Sequence, residues 1–246
     1  MKNLKKEIQE VINLYQSQKI SQAESMGKKL LKNNPKISYL YNLIGLILST
    51  QKKNEEAIQF FEQGLNIQPD YAMIYNNLGN VYKYKKKIIK AEQYYKKSTE
   101  LDSNLIEGYN NLGNLYIETN KYEEAIGCFK KCISKNFNFY IAHYNLGVLY
   151  KSLGKLKESK KFLMDAIKVN PGFFTAHRTY SQITKYKSED HHLKEMKKIY
   201  ETIGNNASGK AELLFGLGKA YDDLKNYKEA FLYYKEGNKL RRTNIE

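Results

Sequence analysis

The 246-residue chain carries 41 Lys and Arg against 26 Asp and Glu, a formal charge of +15. An apolar fraction of 41% excludes a disordered chain, and the length suits one or two ordinary domains or a longer run of small repeats. No apolar stretch has signal-peptide or bilayer-spanning length: Met1 to Ile8 is polar, and the most apolar run, Leu40 to Leu48, is too short.

So large a positive charge ordinarily points to nucleic acid or an anionic surface. Here the cations are almost all Lys, with Arg only at Arg178, Arg241 and Arg242, and Arg is the better fork for phosphate. Lys, Asn, Ile and Tyr, all with AT-rich codons, are enriched together. Much of the charge is therefore assigned to composition on solvated helix faces. The expected partner is a protein or peptide rather than nucleic acid or a membrane, and the oligomeric state is not legible.

In chain order, residues 4–37 read as a divergent first unit of a pattern with period 34. Ala23 and Pro35 keep its frame, but Val11 stands where the pattern has Gly, and Gly27 where it has an aromatic residue. Terminal units are often atypical, because one side faces water.

Residues 38–173 hold four regular units without insertion. Tyr75-Asn76-Asn77-Leu78-Gly79-Asn80-Val81-Tyr82 returns 34 residues later as Tyr109-Asn110-Asn111-Leu112-Gly113-Asn114-Leu115-Tyr116. In phase stand Gly45, Gly79, Gly113 and Gly147, then Ala57, Ala91, Ala125 and Ser159, then Phe61, Tyr95, Phe129 and Leu163. Turn residues Pro69, Ser103, Phe137 and Pro171 close the units. Each unit predicts two helices that cannot bury their apolar faces alone. The Gly and Ala sites let the two backbones approach, while Thr119-Asn120-Lys121 and Leu153-Gly154-Lys155 offer left-handed turn residues.

This pattern resembles the tetratricopeptide repeat family. The resemblance implies an all-α, right-handed superhelical solenoid of stacked antiparallel helix pairs, and a scaffold that holds an extended peptide or a partner helix on its concave face.

Residues 174–210 break the rhythm. Phe174 to Lys185 predicts a first helix, with His177 in phase with Tyr41, Tyr75 and His143. Ser188-Glu189-Asp190 then reads as the start of a charged helix, with Ser188 as its N-cap. Gly204 to Gly209 is a loop by composition. Residues 211–246 form a final unit with Gly218, Tyr221, Ala230 and Tyr234 in frame, for about seven helix pairs in all. Its last helix, expected from Lys228 to Arg241, carries Phe231, Leu232, Tyr234 and Leu240. A solenoid normally closes with a polar helix; here either that face is exposed or the natural chain continues.

No phosphate loop of the form Gly-x-x-x-x-Gly-Lys-Ser/Thr and no Gly-x-Ser-x-Gly elbow occurs. His143 and His177 occupy a core phase. His191 and His192 are adjacent on a helix and point in different directions. Cys128 and Cys132, four apart, share one helix face in poor disulfide geometry, without enough ligands for zinc. Cys132 stands in the small-residue phase of Gly64, Ser98 and Ala166. The expectation is a non-catalytic chain without cofactor or metal, in a reducing cytoplasm.

The pattern with binding content is the Asn series. Asn77, Asn111 and Asn145 precede the repeat Leu, Asn76 and Asn110 lie beside them, and Asn80 and Asn114 follow the Gly. An amide offers both a donor and an acceptor, so a row of them suits a peptide backbone. The series resembles the asparagine ladder in the repeat arm of O-linked N-acetylglucosamine transferases, which implies ligand contact by Asn77, Asn111 and Asn145. The alternative is hydrogen bonding between repeats. Tyr144 and Tyr75 flank the row, with Lys83 and Lys151 nearby.

The segments Ala176–Ser181, Leu214–Asp223 and Glu236–Arg242 are similar to the end of the repeat arm in bacterial tetratricopeptide-repeat sulfotransferases. That resemblance implies the substrate-presenting arm of a sulfotransferase, with its sulfate-donor loop, or of a glycosyltransferase, whose catalytic domain lies beyond residue 246.

Overall fold

The structure, a computed structural model, describes residues 2–188, 190–204 and 208–243. They form fourteen helices and no strand: α1 Lys2–Gln16, α2 Ile20–Asn33, α3 Ser38–Thr50, α4 Asn54–Ile67, α5 Ala72–Tyr84, α6 Ile88–Leu101, α7 Ile106–Glu118, α8 Tyr122–Lys135, α9 Tyr140–Ser152, α10 Leu156–Val169, α11 Phe174–Ile183, α12 His191–Thr202, α13 Lys210–Asp223 and α14 Tyr227–Thr243. They belong to two compact units, Met1–Lys121 and Tyr122–Glu246.

The turns inside the pairs repeat as strictly as the helices. Gln18, Lys52, Lys86, Asn120 and Gly154, each 34 residues from the last, take φ of 61°, 63°, 59°, 59° and 72°, and Lys225 takes 61°. After each of the first three the next N–H reaches back to a helix carbonyl: Lys19 to Leu14, Lys53 to Leu48 and Lys87 to Tyr82. This left-handed closure satisfies the last carbonyls of the first helix. Sequence reading finds it at Asn120 and Gly154, which tolerate that backbone; a Lys gives no such signal. Gln18, between α1 and α2, takes this conformation in the same phase.

In four of the pairs the Gly of the first helix faces the large residue sixteen positions on. A Cβ on Gly45, Gly79, Gly147 or Gly218 would lie 2.5, 2.5, 2.8 or 2.7 Å from the side chain of Phe61, Tyr95, Leu163 or Tyr234. The Gly therefore makes room for a side chain as much as for a backbone. In the first pair the exchange is reversed: Val11 is fully buried, and a Cβ on Gly27 would sit 3.6 Å from it. The larger and the smaller residue have traded helices, with Val11 as a smaller filler than the Phe, Tyr or Leu of the other pairs. Ala23, Ala57 and Ala91 are fully buried at the crossing in the first unit, and Ala125 in the second. Ser159 fits the same slot because its hydroxyl donates to the Gly147 carbonyl at 2.7 Å.

The phase shared by Tyr41, Tyr75, His143 and His177 has a physical reason. Tyr41 donates to the Pro35 carbonyl, Tyr75 to that of Pro69, His143 Nε2 to that of Phe137 and His177 Nε2 to that of Pro171, at 3.1, 3.0, 2.9 and 3.0 Å. Each ties a first helix to the turn six residues before it. Cys128 and Cys132 are buried and not disulfide-bonded.

Residues 174–210 depart from the repeat because α11 stops two residues short of the expected Lys185. Thr184 turns extended, at φ −104° and ψ 134°, and Tyr186 enters the core at 2% exposure. Its backbone N–H donates to Asp223 Oδ2 at 2.9 Å. The N-cap of α12 is Asp190 rather than Ser188: the Asp190 carboxylate accepts from the Leu193 N–H at 2.9 Å. Ser188 precedes the cap, and Glu189 lies outside the described residues, as do 205–207 of the expected loop and 244–246 of the final unit. The last helix is longer than expected at both ends, Tyr227–Thr243.

A chain of buried hydrogen bonds seals this departure. His177 Nδ1 lies 3.1 Å from His192 Nε2, His192 Nδ1 2.7 Å from the Tyr186 hydroxyl, and that hydroxyl 3.0 Å from Ser181 Oγ. Its direction is set at one end. The Pro171 carbonyl can only accept, so His177 Nε2 carries the proton and Nδ1 accepts from His192. His192 Nδ1 then accepts from Tyr186, whose oxygen accepts from Ser181. Both imidazoles must be neutral. Burial is the main reason they are: it pulls His177 down to about 4 and His192, beside His177 and His191, to about 3. His191, next in sequence, is exposed.

Candidate peptide-binding surface

In the first unit successive first helices touch, α3 on α5 and α5 on α7, and the Asn residues meet along those contacts. Asn77 Nδ2 donates to Asn42 Oδ1 at 2.8 Å. Asn111 Nδ2 donates to Asn76 Oδ1 at 3.0 Å and to Asn80 Oδ1 at 3.2 Å. The pairs Asn42–Asn77 and Asn76–Asn111 are both 35 residues apart. An Asn in one repeat thus donates to the preceding repeat one phase earlier. Asn42, not singled out by the sequence motif, starts the row.

Burial divides the expected site residues. Asn76 is 3% exposed and Asn77 7%. Asn77, expected to meet a ligand, instead spends its amide on Asn42, and Asn76 serves as acceptor for Asn111. Bonding between repeats, the alternative weighed for this series, describes these two. Asn111 is half-buried and Asn80 exposed. Asn110, Asn114, Asn145 and Tyr144 are half-buried as well. In the second unit Tyr144 packs edge-on against Phe173, with centroids 4.9 Å apart.

The Asn80–Asn111 pair has a defined polarity. Asn80 Oδ1 accepts twice, from Asn111 Nδ2 and from the Tyr95 hydroxyl at 2.8 Å. Asn111 gives both amide protons away, to Asn76 and Asn80. The groups left to the surface are the Nδ2 donor of Asn80 and the Oδ1 acceptor of Asn111, neither with a partner among the described residues. One donor beside one acceptor is the complement of a peptide group.

The cations near this row are paired. Lys83 meets Glu118 at 2.7 Å, from α5 to α7, and Lys121 and Lys96 share Glu92 at 2.9 and 2.7 Å. In the second unit Lys151 donates to Gln182 at 2.7 Å. The residues that carry the sulfotransferase-arm resemblance hold one another. Arg178 and Arg241 bond separate oxygens of Glu212, both at 2.8 Å, and both lie over the Phe215 ring, 5.0 and 4.4 Å from its centroid. Burial raises the Glu212 carboxyl, but the two guanidinium groups outweigh it and hold the pKa below the usual carboxylate range. Among the described residues no group of three or more His, Cys, Asp or Glu could hold a metal ion, and no helix is long and apolar enough to cross a membrane.

Paired helices in a 34-residue register, linked by side chains from one first helix to the next, define a helical-repeat solenoid with a polar contact row. The chain belongs to the tetratricopeptide repeat family, whose profiles match residues 36–104 and 70–134, and again 140–173 and 211–244. No curated protein sequence matches. Among solved structures the chain is similar to Pseudomonas aeruginosa pilF, at 15% identity and a TM-score of 0.67, over 95% of each chain. It is similar to YrrB, described as a TPR protein with an unusual peptide-binding site, at 19% identity and a TM-score of 0.54, over 85% of this chain and 97% of that one. A third likeness, to the Cut9–Hcn1 hetero-tetramer of the APC/C, has 14% identity and a TM-score of 0.66, over 95% of this chain and 42% of that one. At such identities the likeness is one of fold.

Proposed function

We propose that this protein is a non-catalytic interaction scaffold that holds an extended peptide segment of a partner along its first helices, the concave face of the family's solenoid. The observation that carries the reading is the Asn80–Asn111 pair. Its bonding to Asn76 and Tyr95 pre-orients one donor and one acceptor toward the surface. Pre-orientation matters because a peptide pays less to dock on groups that are already ordered. Contacts to backbone groups leave the partner's side chains unread, so the pair favours an extended conformation over a particular sequence. Asn110 and Asn114 extend the reading along α7 of the first unit, with Asn76 and Asn77 holding the row in place; Asn145 and Tyr144, on α9 of the second unit, are candidates for a like contact taken by themselves. The peptide-binding site named for YrrB supports a protein partner for this kind of fold.

The test is selection of binders from a displayed library of unstructured peptides, followed by titration against wild type and Asn80→Ala/Asn111→Ala. Each lost bond is expected to cost roughly 0.5–1.5 kcal/mol of binding, with the helical circular dichroism spectrum unchanged. Equal affinity of the selected peptides for the folded double variant would sink the proposal.

A further inference from the structure

The corner between α5 and α6 breaks rules that the neighbouring corners keep. Tyr84 ends α5 and is 57% exposed; Ile89, in the first turn of α6, is 77% exposed. One repeat before and one after, the register puts Thr50 and Glu118 in place of Tyr84, and Glu55 and Glu123 in place of Ile89. Lys90 stands in the phase of Glu56 and Glu124. Helices α4 and α8 thus begin with two acids each, whereas α6 has none in its first turn. Acids suit that end of a helix and a Lys does not, so the exchange gains the fold nothing. Local rules broken without a structural return mark functional sites.

The cations of this corner also lack the acids that the others find. Lys53 reaches Glu24 at 3.0 Å and Lys121 reaches Glu92 at 2.9 Å, each 29 residues back. In the same relation to Lys87 stands Ile58, which is buried. Glu55, whose carboxylate feels Lys87, is bonded by Lys85. Lys90 lies over the Tyr82 ring, 5.3 Å from its centroid. Among the described residues, Lys86, Lys87 and Lys90 form no ion pair with an acid. The turn is tight, closed by the Lys87 N–H on the Tyr82 carbonyl at 2.9 Å. It therefore gathers three cations and two exposed apolar side chains at one corner.

We propose that this corner rests on an anionic lipid surface, with Ile89 among the acyl chains, the Tyr84 ring at headgroup level and Lys86, Lys87 and Lys90 on the phosphates. Tyr suits that level because its ring is apolar and its hydroxyl is wet. The scarcity of Arg, which argued against nucleic acid, is no handicap here, because Lys serves lipid phosphate as a point charge. Side chains this exposed have no walls to align a rigid partner, but a fluid layer closes around them. The contact lies on the membrane and needs no spanning helix. It uses none of the Asn residues, so it stands or falls apart from the peptide reading.

The chain has no Trp, so Ile89→Trp supplies a single reporter at the corner. With vesicles of phosphatidylcholine and phosphatidylglycerol in equal parts its emission is expected to shift to the blue, and with phosphatidylcholine alone to stay. Lys86→Glu/Lys87→Glu/Lys90→Glu is expected to weaken co-sedimentation with the anionic vesicles by about fivefold for each Lys lost. Lys157→Glu/Lys161→Glu/Lys168→Glu makes the same change of charge at exposed positions of α10 and is expected to bind nearly as wild type. Tyr84→Ser/Ile89→Ser keeps the charge and is expected to lose about tenfold or more, from the apolar area withdrawn. All these positions are exposed, so the variants fold, which circular dichroism checks. No blue shift on anionic vesicles, equal loss in the two Lys variants, or unchanged binding by Tyr84→Ser/Ile89→Ser overturns the proposal. So does the same shift with poly-glutamate in place of vesicles, because the occupant would then be an acidic protein segment.

Discussion

The ring of Tyr95 fills the space that a side chain on Gly79 would need, with a Cβ on that Gly only 2.5 Å from the ring carbons. Tyr95 is buried at 1% exposure, and its hydroxyl is held by Asn80 at 2.8 Å, so the ring has no ready path aside. Gly79→Ala is expected to cost about 1–3 kcal/mol through overpacking. Gly127, in helix α8, is the control: nothing lies within 4 Å of a Cβ there, and Gly127→Ala should gain about 1 kcal/mol from helix propensity. Urea denaturation of both variants reads the two signs. An unchanged midpoint for Gly79→Ala would contradict the packing.

Lys86 holds a left-handed backbone at φ 59°, in the turn between α5 and α6. That conformation costs an L-residue roughly 1–2 kcal/mol, whereas Gly adopts it without penalty. Lys86→Gly is expected to raise the urea midpoint by a part of that amount, because Gly also loses more entropy on folding. Gly154→Ala, at φ 72°, should lower it. Opposite signs in turns of the same register would show that the backbone, not a contact of the Lys side chain, sets the stability there.

The His177–His192 contact makes folding sensitive to acid. Both imidazoles sit well below their unfolded value near 6.5, at about 4 and about 3, chiefly through burial. As pH falls the unfolded chain takes up these protons first. The stability is therefore complete above about 6.5 and declines as pH falls toward 4 and 3. For His177 alone the interval corresponds to about 3 kcal/mol. Denaturation between pH 7 and pH 4 should show the loss, and His192→Phe should flatten the curve while lowering stability at pH 7. An equally steep curve in that variant would place the sensitivity elsewhere.

Asn111 donates both amide protons to carbonyl oxygens, so Asn111→Asp would set a carboxylate against two acceptors. The cost is expected to be about 1 kcal/mol, the low end for an unmet polar group because the site is half-exposed. Asn111→Ala should cost less. If Asn111→Asp is as stable as wild type in urea, the row is not a contact between repeats.

Much of this molecule was legible in the residue order because a repeat states its rules several times. Gly45, Gly79, Gly113 and Gly147 with Phe61, Tyr95, Phe129 and Leu163 marked the helix pairs, since a close crossing needs a small residue facing a large one. Asn120 and Gly154 disclosed the turn conformation, because their chemistry tolerates it; Lys52 and Lys86 concealed the same turn. Where the register broke, after Ile183, local pattern had little to offer. His177 and His192 stand only 15 residues apart, with Tyr186 between them, yet no local spacing marks them, and they become a network only once α11 and α12 are packed. The same holds for the Asn row. Its phase was visible, but which amides face a neighbour and which face outward depended on Asn42, Asn80 and Tyr95 arriving from other turns of the chain. Period and composition determined the helices and the family, because those follow from local spacing. Burial, proton direction and the outward face of Asn80 and Asn111 were decided by tertiary structure, because each depends on a partner that the local sequence does not contain.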